Sequence, residues 1–276
     1  MSPLATTLDT REIELMMTRS NGYAEYFLQK IGANQVDSFD NSPYEGATYI
    51  HDMNKELPDK FKGQYTTVFD GGSLEHIFNF PVAIKNCMEM LGVGGHYLAL
   101  TPGNNLLGHG FYQFSPELYF SVFTRENGFE LVHVIAFEYK PDAKWNARWY
   151  SVRSPLEVRG RVELTNSDRV NLLIIARKIA RTQIFKTIPQ QSDYLAMWQS
   201  ASTSPDQSPE IKSPPVSKHL RLLKRGIPTP VKRRIRRVLS RLDSRSSNPF
   251  DPHFFSPMDP TAEAGRRPGK SLQGTS

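Results

Sequence analysis

The chain has 276 residues, 38% of them hydrophobic and 11% aromatic, with a formal net charge of +6 and a pI near 9.3. That is room for one α/β domain with appendages, and no run approaches the roughly 18 apolar residues needed to cross a bilayer. The lone Cys87 excludes an intrachain disulfide and a cysteine cluster for zinc. The opening MSPLATTLDT lacks the basic-then-apolar order of a secretory signal, so a cytoplasmic location is expected.

The charge is concentrated. Residues 218–245 hold 11 Lys and Arg against one acid, Asp243, and residues 246–276 balance to zero. Residues 1–217 are left with 20 basic and 24 acidic side chains, a balance of −4. The high pI therefore belongs to one segment and does not mark the body as a nucleic-acid binder. No internal repeat is present. The stretch SASTSPDQSPEIKSPPVS (200–217) reads as a Ser/Pro-rich linker. Four parts are expected: a folded domain over 1–186, a linker over 187–217, a basic amphipathic segment over 218–245 and a flexible tail over 246–276.

In chain order, Leu4 to Leu8 is a weak strand candidate, followed by Asp9, Thr10 and Arg11. Tyr23, Tyr26, Phe27 and Ile31 have helical spacing, with Gly32 as a stop. Val36–Phe39, Ala47–Ile50 and Thr67–Phe69 are short strand candidates, closed by Asp40, Asp52 and the turn Asp70–Gly72. Asn79 and Pro81 open a helix whose apolar positions Phe80, Ala83, Ile84, Cys87, Met88 and Leu91 follow the 3.6-residue period. Tyr97–Leu100 is a fourth strand, and Ser115 heads a helix running to about Phe123. Leu131–Phe137 and Val170–Ala176 are nearly continuous apolar runs, as expected of strands buried on both faces. Strands separated by helices predict a doubly wound α/β domain. The long, aromatic and arginine-rich connection Glu138–Asp168 reads as a lid, or as a flap that only packs.

In an open α/β sheet, ligands bind beyond the carboxyl ends of the strands. Polar residues gather there: Asp40, Asp52 with Asn54, Asp70, and Thr101 with Asn104 and Asn105. Clustered acids repel unless something pairs with them, and a ribose diol or an exocyclic amine is a suitable donor. The alternative is Asx capping of turns and helices.

Three stretches carry a family resemblance: VDSFDNSPYEGATYIHDMN (36–54), VFDGGSLEHIFNFPVAIKNCMEMLGVGGHYLALTPGNN (68–105) and GHGFYQFSPELYF (108–120). With these, residues 23–178 resemble class I S-adenosylmethionine (SAM)-dependent methyltransferases, especially the bacterial methyltransferase type 11 group. The resemblance implies a seven-stranded, mostly parallel Rossmann-like sheet. The closing RVNLLIIARK (169–178) would be its antiparallel edge strand. It further implies that Asp40 holds the ribose hydroxyls and that Asp52, with Met53, faces the adenine. Asp70, Gly71, Gly72 and Glu75 would border the methionine half. Two features depart from the family pattern. No glycine precedes Gly22, where a glycine-rich loop should follow the central first strand, and Thr66 stands where an acid is usual. Residues 1–11 would supply a degenerate first strand, or the chain lacks a segment upstream.

His109, in the loop GHGFYQF, and His76, after the third strand, are the candidates for a general base that takes an acceptor's proton. Each is otherwise a structural hydrogen bonder. Phe111, Tyr112, Phe114 and Tyr119 line an acceptor pocket or belong to the core. No metal-ligand set is read. In the basic segment, Val231, Ile235, Val238, Leu239 and Leu242 share one helical face among arginines, which suits an anionic membrane surface or an acidic partner. Nucleic acid is disfavoured because no aromatic stacking platform accompanies the charge. The expected function is methyl transfer to a small-molecule, sugar or lipid-linked acceptor, as in surface-polysaccharide synthesis. A methyltransferase-like scaffold without catalysis is the alternative.

Overall fold

The computed structural model describes residues 23–139, 148–158, 160–195 and 250–259, with Arg11, Leu15, Thr18 and Trp198 besides. The candidate strand Leu4–Leu8, residues 140–147 of the long connection and the basic segment 218–245 lie outside them.

A short helix, α1 (Glu25–Lys30), leads to two brief strands, β1 (Phe39–Asp40) and β2 (Tyr49–Ile50), which pair in parallel as a small sheet. Then come β3 (Tyr65–Asp70), α2 (Phe80–Met90), β4 (Leu91–Asn104), α3 (Pro116–Val122), β5 (Phe129–Tyr139) and β6 (Trp149–Val152). The last elements are α4 (Pro155–Val158), β7 (Arg169–Lys178) and β8 (Phe255–Met258). Among the described residues the main sheet has six strands in the order β3-β4-β7-β5-β6-β8. Among these described strands only β3 and β4 pair in parallel; every other neighbouring pair is antiparallel.

The fold is therefore mixed α/β, but the seven-stranded, mostly parallel, doubly wound sheet expected from the sequence is replaced by a six-stranded, mostly antiparallel one. The reason lies in the connections. The crossover through α2 keeps β4 parallel to β3, and the route through α3 brings β5 back in the same direction. β7 then enters between β4 and β5 pointing the other way. It is an interior strand, not the expected edge strand, because it hydrogen-bonds β4 on one side and β5 on the other. Its burial alternates, with Val170, Leu172, Ile174, Ala176 and Lys178 inside, rather than being continuous on both faces. One face of the sheet packs on α2 and α3, while Phe69 and Leu100 point to a face that stays partly open.

α2 forms where the 3.6-residue period predicts, with Phe80, Ala83, Ile84, Cys87 and Met88 buried. Asn79 does not cap it through its side chain. Instead Asn79 N donates to Asn54 Oδ1 (2.8 Å) and its Nδ2 to Asn54 O (3.0 Å). At the far end, buried Lys178 donates to Met88 O and Leu91 O, each at 2.8 Å. A cation satisfying carbonyls at a helix C-terminus is favourable for both.

Within the stretch expected as a flexible tail, residues 250–259 dock on the sheet. β8 pairs with β6, and Phe250 and Phe255 join the main core; Phe250 stacks on Tyr150 with ring centroids 3.8 Å apart. Three aromatic side chains clustered near Pro249 and Pro252 bury too much apolar area to remain solvated. Part of the long connection is likewise a strand, β6, rather than a lid. Among the described residues no helix is long and apolar enough to cross a membrane.

Candidate functional site

The small sheet and the main sheet point the same way. Tyr65, at the start of β3, donates from its hydroxyl to Asp37 Oδ2 just before β1 (3.0 Å), while Asn54 beyond β2 bonds Asn79 beyond β3. Starts meet starts and ends meet ends, so the carboxyl ends of β1, β2 and β3 share one rim. Asn86 tightens this arrangement. It is a buried polar residue on the apolar side of α2, and it donates to Lys55 O (2.7 Å) and accepts from Leu57 N (3.0 Å). Its sequence signal is an amide that interrupts the apolar face of α2.

At the first part of the rim, Asp40 lies opposite Ile50 in the parallel register, and His51 N donates to Asp40 O (2.8 Å). Asp52 and Met53 follow directly, so the strand pairing brings Asp40 and Asp52 to the same end of the small sheet. Each carboxylate is already engaged. Asp40 Oδ1 accepts from Ser42 N (2.7 Å). Asp52 Oδ1 accepts from Asn54 N and Nδ2 (3.0 and 2.8 Å), and its Oδ2 pairs with Lys55 (3.3 Å). The Asn54 bonds, ahead of Lys55, hold the Asp52 carboxyl below its ordinary value. These are the Asx turns that were the alternative reading.

At the end of β3, buried Asp70 organises the turn. Its Oδ1 accepts from Gly72 N (3.2 Å), Ser73 N (2.8 Å) and Leu74 N (3.3 Å), and its Oδ2 from the Tyr97 hydroxyl (3.3 Å). Burial pushes its pKa up against the pull of those donors. Gly72, at φ +100°, makes the bend that leads into a 3₁₀ turn over Leu74–His76. Gly71 lies against the Phe69 ring.

Glu75, in that turn, is 1% exposed. The loop after β4 wraps it: Phe111 N and Tyr112 N both donate to Glu75 O, at 2.9 and 3.2 Å. Gly110 sits so close that a Cβ there would lie 2.8 Å from Glu75 O. The Tyr112 hydroxyl then donates to Phe78 O (2.6 Å), which clips the loop to the segment before α2. This brings His109 Nε2 to 3.4 Å from Glu75 Oε1 and the His76 and His109 rings to 5.1 Å between centroids. Both imidazoles are exposed, and Glu75 Oε2 has no hydrogen-bond partner among the described residues. Burial, with a smaller contribution from Asp70, raises the Glu75 pKa. Phe78 and Phe111, edge to face at 5.8 Å, are 72% and 67% exposed and flank this cluster. Phe114 and Tyr119, two of the four aromatics considered for an acceptor pocket, belong instead to the core.

The structure therefore groups the sequence candidates into two neighbouring sets. Asp40, Asp52 and Met53 form one; Asp70, Gly71, Gly72, Glu75, His76 and His109 form the other. The bridge runs through Asn54, Asn79 and Phe78. Thr101 is buried, while Asn104 and Asn105 tie down the approach to β7 by donating to Asn166 Oδ1 at 3.0 and 2.9 Å.

No family model and no curated protein matches the chain. Among solved structures, it is similar to the branched-chain polyamine synthase from Thermus thermophilus, determined in complex with N4-aminopropylspermidine and 5'-methylthioadenosine. The two are 13% identical with a TM-score of 0.28, over 66% of this chain and 45% of that one. The chain thus spans less than half of that enzyme's length.

Proposed function

We propose that the chain is a SAM-dependent methyltransferase acting on a hydroxyl or similar group of a small-molecule, sugar or lipid-linked acceptor. The observation that carries this reading is the common rim. Asp40 and Asp52 stand at adjacent parallel strand ends, and the Asp70–Glu75 turn stands at the end of the next strand. That is where a ligand of an α/β sheet is held. Asp40 would take the ribose hydroxyls, since its Oδ2 receives no hydrogen bond from the described residues. Asp52 and Met53 would face the adenine, and Asp70, Gly71, Gly72 and Glu75 the methionine half. The cofactor, when bound, supplies an electrophilic methyl on sulfur. The chain's own part is to hold it, align the acceptor and accept the acceptor's proton at His109, or at His76 beside it. The exposed Phe78 and Phe111 rings offer a face on which a sugar's C–H surface can rest. The basic segment 218–245 would hold the enzyme on an anionic membrane surface, near lipid-linked acceptors.

A second reading has its own observation. Asp52 and Asp70 each spend both oxygens on their own chain, which suits a scaffold that no longer binds the cofactor. Calorimetric titration with SAM decides. Binding in the micromolar range, weakened at least tenfold by Asp40→Asn with Asp52→Asn, supports the enzyme. An absence of heat from folded protein supports the scaffold.

A further inference from the structure

We propose that Glu75, His76 and His109 form a binding site for a divalent transition-metal ion of the zinc type. Each side chain offers one ligand atom, and the three atoms lie within 4.8 Å of one another. Ligands about 2.0–2.1 Å from one tetrahedral ion stand about 3.3 Å apart. Glu75 Oε1 and His109 Nε2 are already 3.4 Å apart, a separation too long for a good N–H···O bond and right for two ligands of one ion. The third ligand comes from the exposed His76, whose ring lies 5.1 Å from that of His109 between centroids.

The state of Glu75 is the independent observation. It is 1% exposed, its Oε2 has no partner among the described residues, and its neighbours on the ligand side are two imidazoles. A buried carboxylate without a counter-charge is costly, and a cation between the three groups removes that cost. The backbone holding it is firm: the Asp70-capped turn supports Glu75 and His76 from below, and Gly110, Phe111 and Tyr112 close over Glu75 from the other side. Two imidazoles and one carboxylate select zinc, cobalt or iron(II) over magnesium or calcium, which require several oxygens. Three protein ligands with both histidines open to solvent leave a fourth position for water or a ligand, the pattern of a reactive rather than a closed site. The inference needs neither cofactor nor acceptor, and it competes with methyl transfer for the same groups: an ion held by Glu75, His76 and His109 occupies the imidazole nitrogens that would otherwise take an acceptor's proton.

The test uses metal-free full-length protein titrated with Co2+ alone and then with Zn2+. A single-equivalent visible d–d band, displaced by one equivalent of Zn2+, is the expected result. His76→Ala and His109→Ala, both at exposed side chains, should each leave the circular dichroism unchanged and weaken Co2+ binding by 10-fold or more. His253→Ala, far along the chain on the β8 segment, should leave it unchanged. Absence of the band in the unaltered protein, or a band that survives the His76→Ala, His109→Ala double variant, overturns the proposal.

Discussion

Asp70 shows how one side chain can serve the fold and the site together. Its three amide partners hold the turn that delivers Glu75 and His76, yet burial keeps its pKa above the ordinary 3.8. The sign follows from linkage. A folded-state pKa above the unfolded one means that the native protein holds the proton longer. On this group's account, stability is greatest below the unfolded value and falls as pH rises through the folded one. Asp70→Asn keeps an oxygen for the three amides and removes the titration. The unaltered protein should therefore lose stability relative to Asp70→Asn as pH is raised from about 3.5 to 7, read as the difference in urea midpoints; parallel curves would refute this. Asp52 is the contrast. It is only half-buried, its carboxyl is held down chiefly by Asn54, and its replacement should act on ligand binding while leaving stability nearly unchanged.

At the scale of elements, the loop 108–114 is the piece on which the site depends. It is fastened at Glu75 O by two amides, at Phe78 O by the Tyr112 hydroxyl and at Pro102 O by Phe114 N (2.8 Å). Its two glycines differ in kind. A Cβ at Gly108 meets nothing within 4 Å, whereas one at Gly110 meets Glu75 O at 2.8 Å. Gly110→Ala should therefore lift the loop, move His109 away from Glu75 and destabilise the protein by about 1–3 kcal/mol. Gly108→Ala should cost little. Denaturant melts of the two variants, with His109 ring shifts followed by NMR, separate them; equal effects would show that the loop is not seated as described. The sequence offered GHG as part of a glycine-rich loop. It did not show which glycine is required by space, because that depends on a carbonyl in a turn far away in the chain.

For the molecule as a whole, the sheet is completed by chain that the composition assigns to a tail. Phe250 is 1% exposed and stacked on Tyr150, so Phe250→Ala should cost about 3–5 kcal/mol in chemical denaturation. A change below 1 kcal/mol would mean that β8 is not integral. The basic segment between the linker and β8 makes a separate prediction. Changing Arg233, Arg234, Arg236 and Arg237 to Gln should abolish sedimentation with phosphatidylserine vesicles, at about 1 kcal/mol per charge, and leave Phe250 packing untouched. Binding that persists, or that is equal on neutral vesicles, would remove the membrane from the account.

Local pattern determined the elements. The period of α2, the apolar runs of β5 and β7, the Asx-rich strand ends and the DGG turn all act through residues close in the chain, where rotamer, burial and turn preferences are legible one by one. Strand direction and neighbourhood were decided only in three dimensions. The insertion of β7 between β4 and β5, and the return of β8 to the sheet, depend on pairings between distant segments that no periodicity encodes. The site follows the same division. Its residue types and their gathering at strand ends were readable. The meeting of Glu75 with His109 was not, because a buried carboxylate acquires its neighbours only when a later loop folds back over its turn.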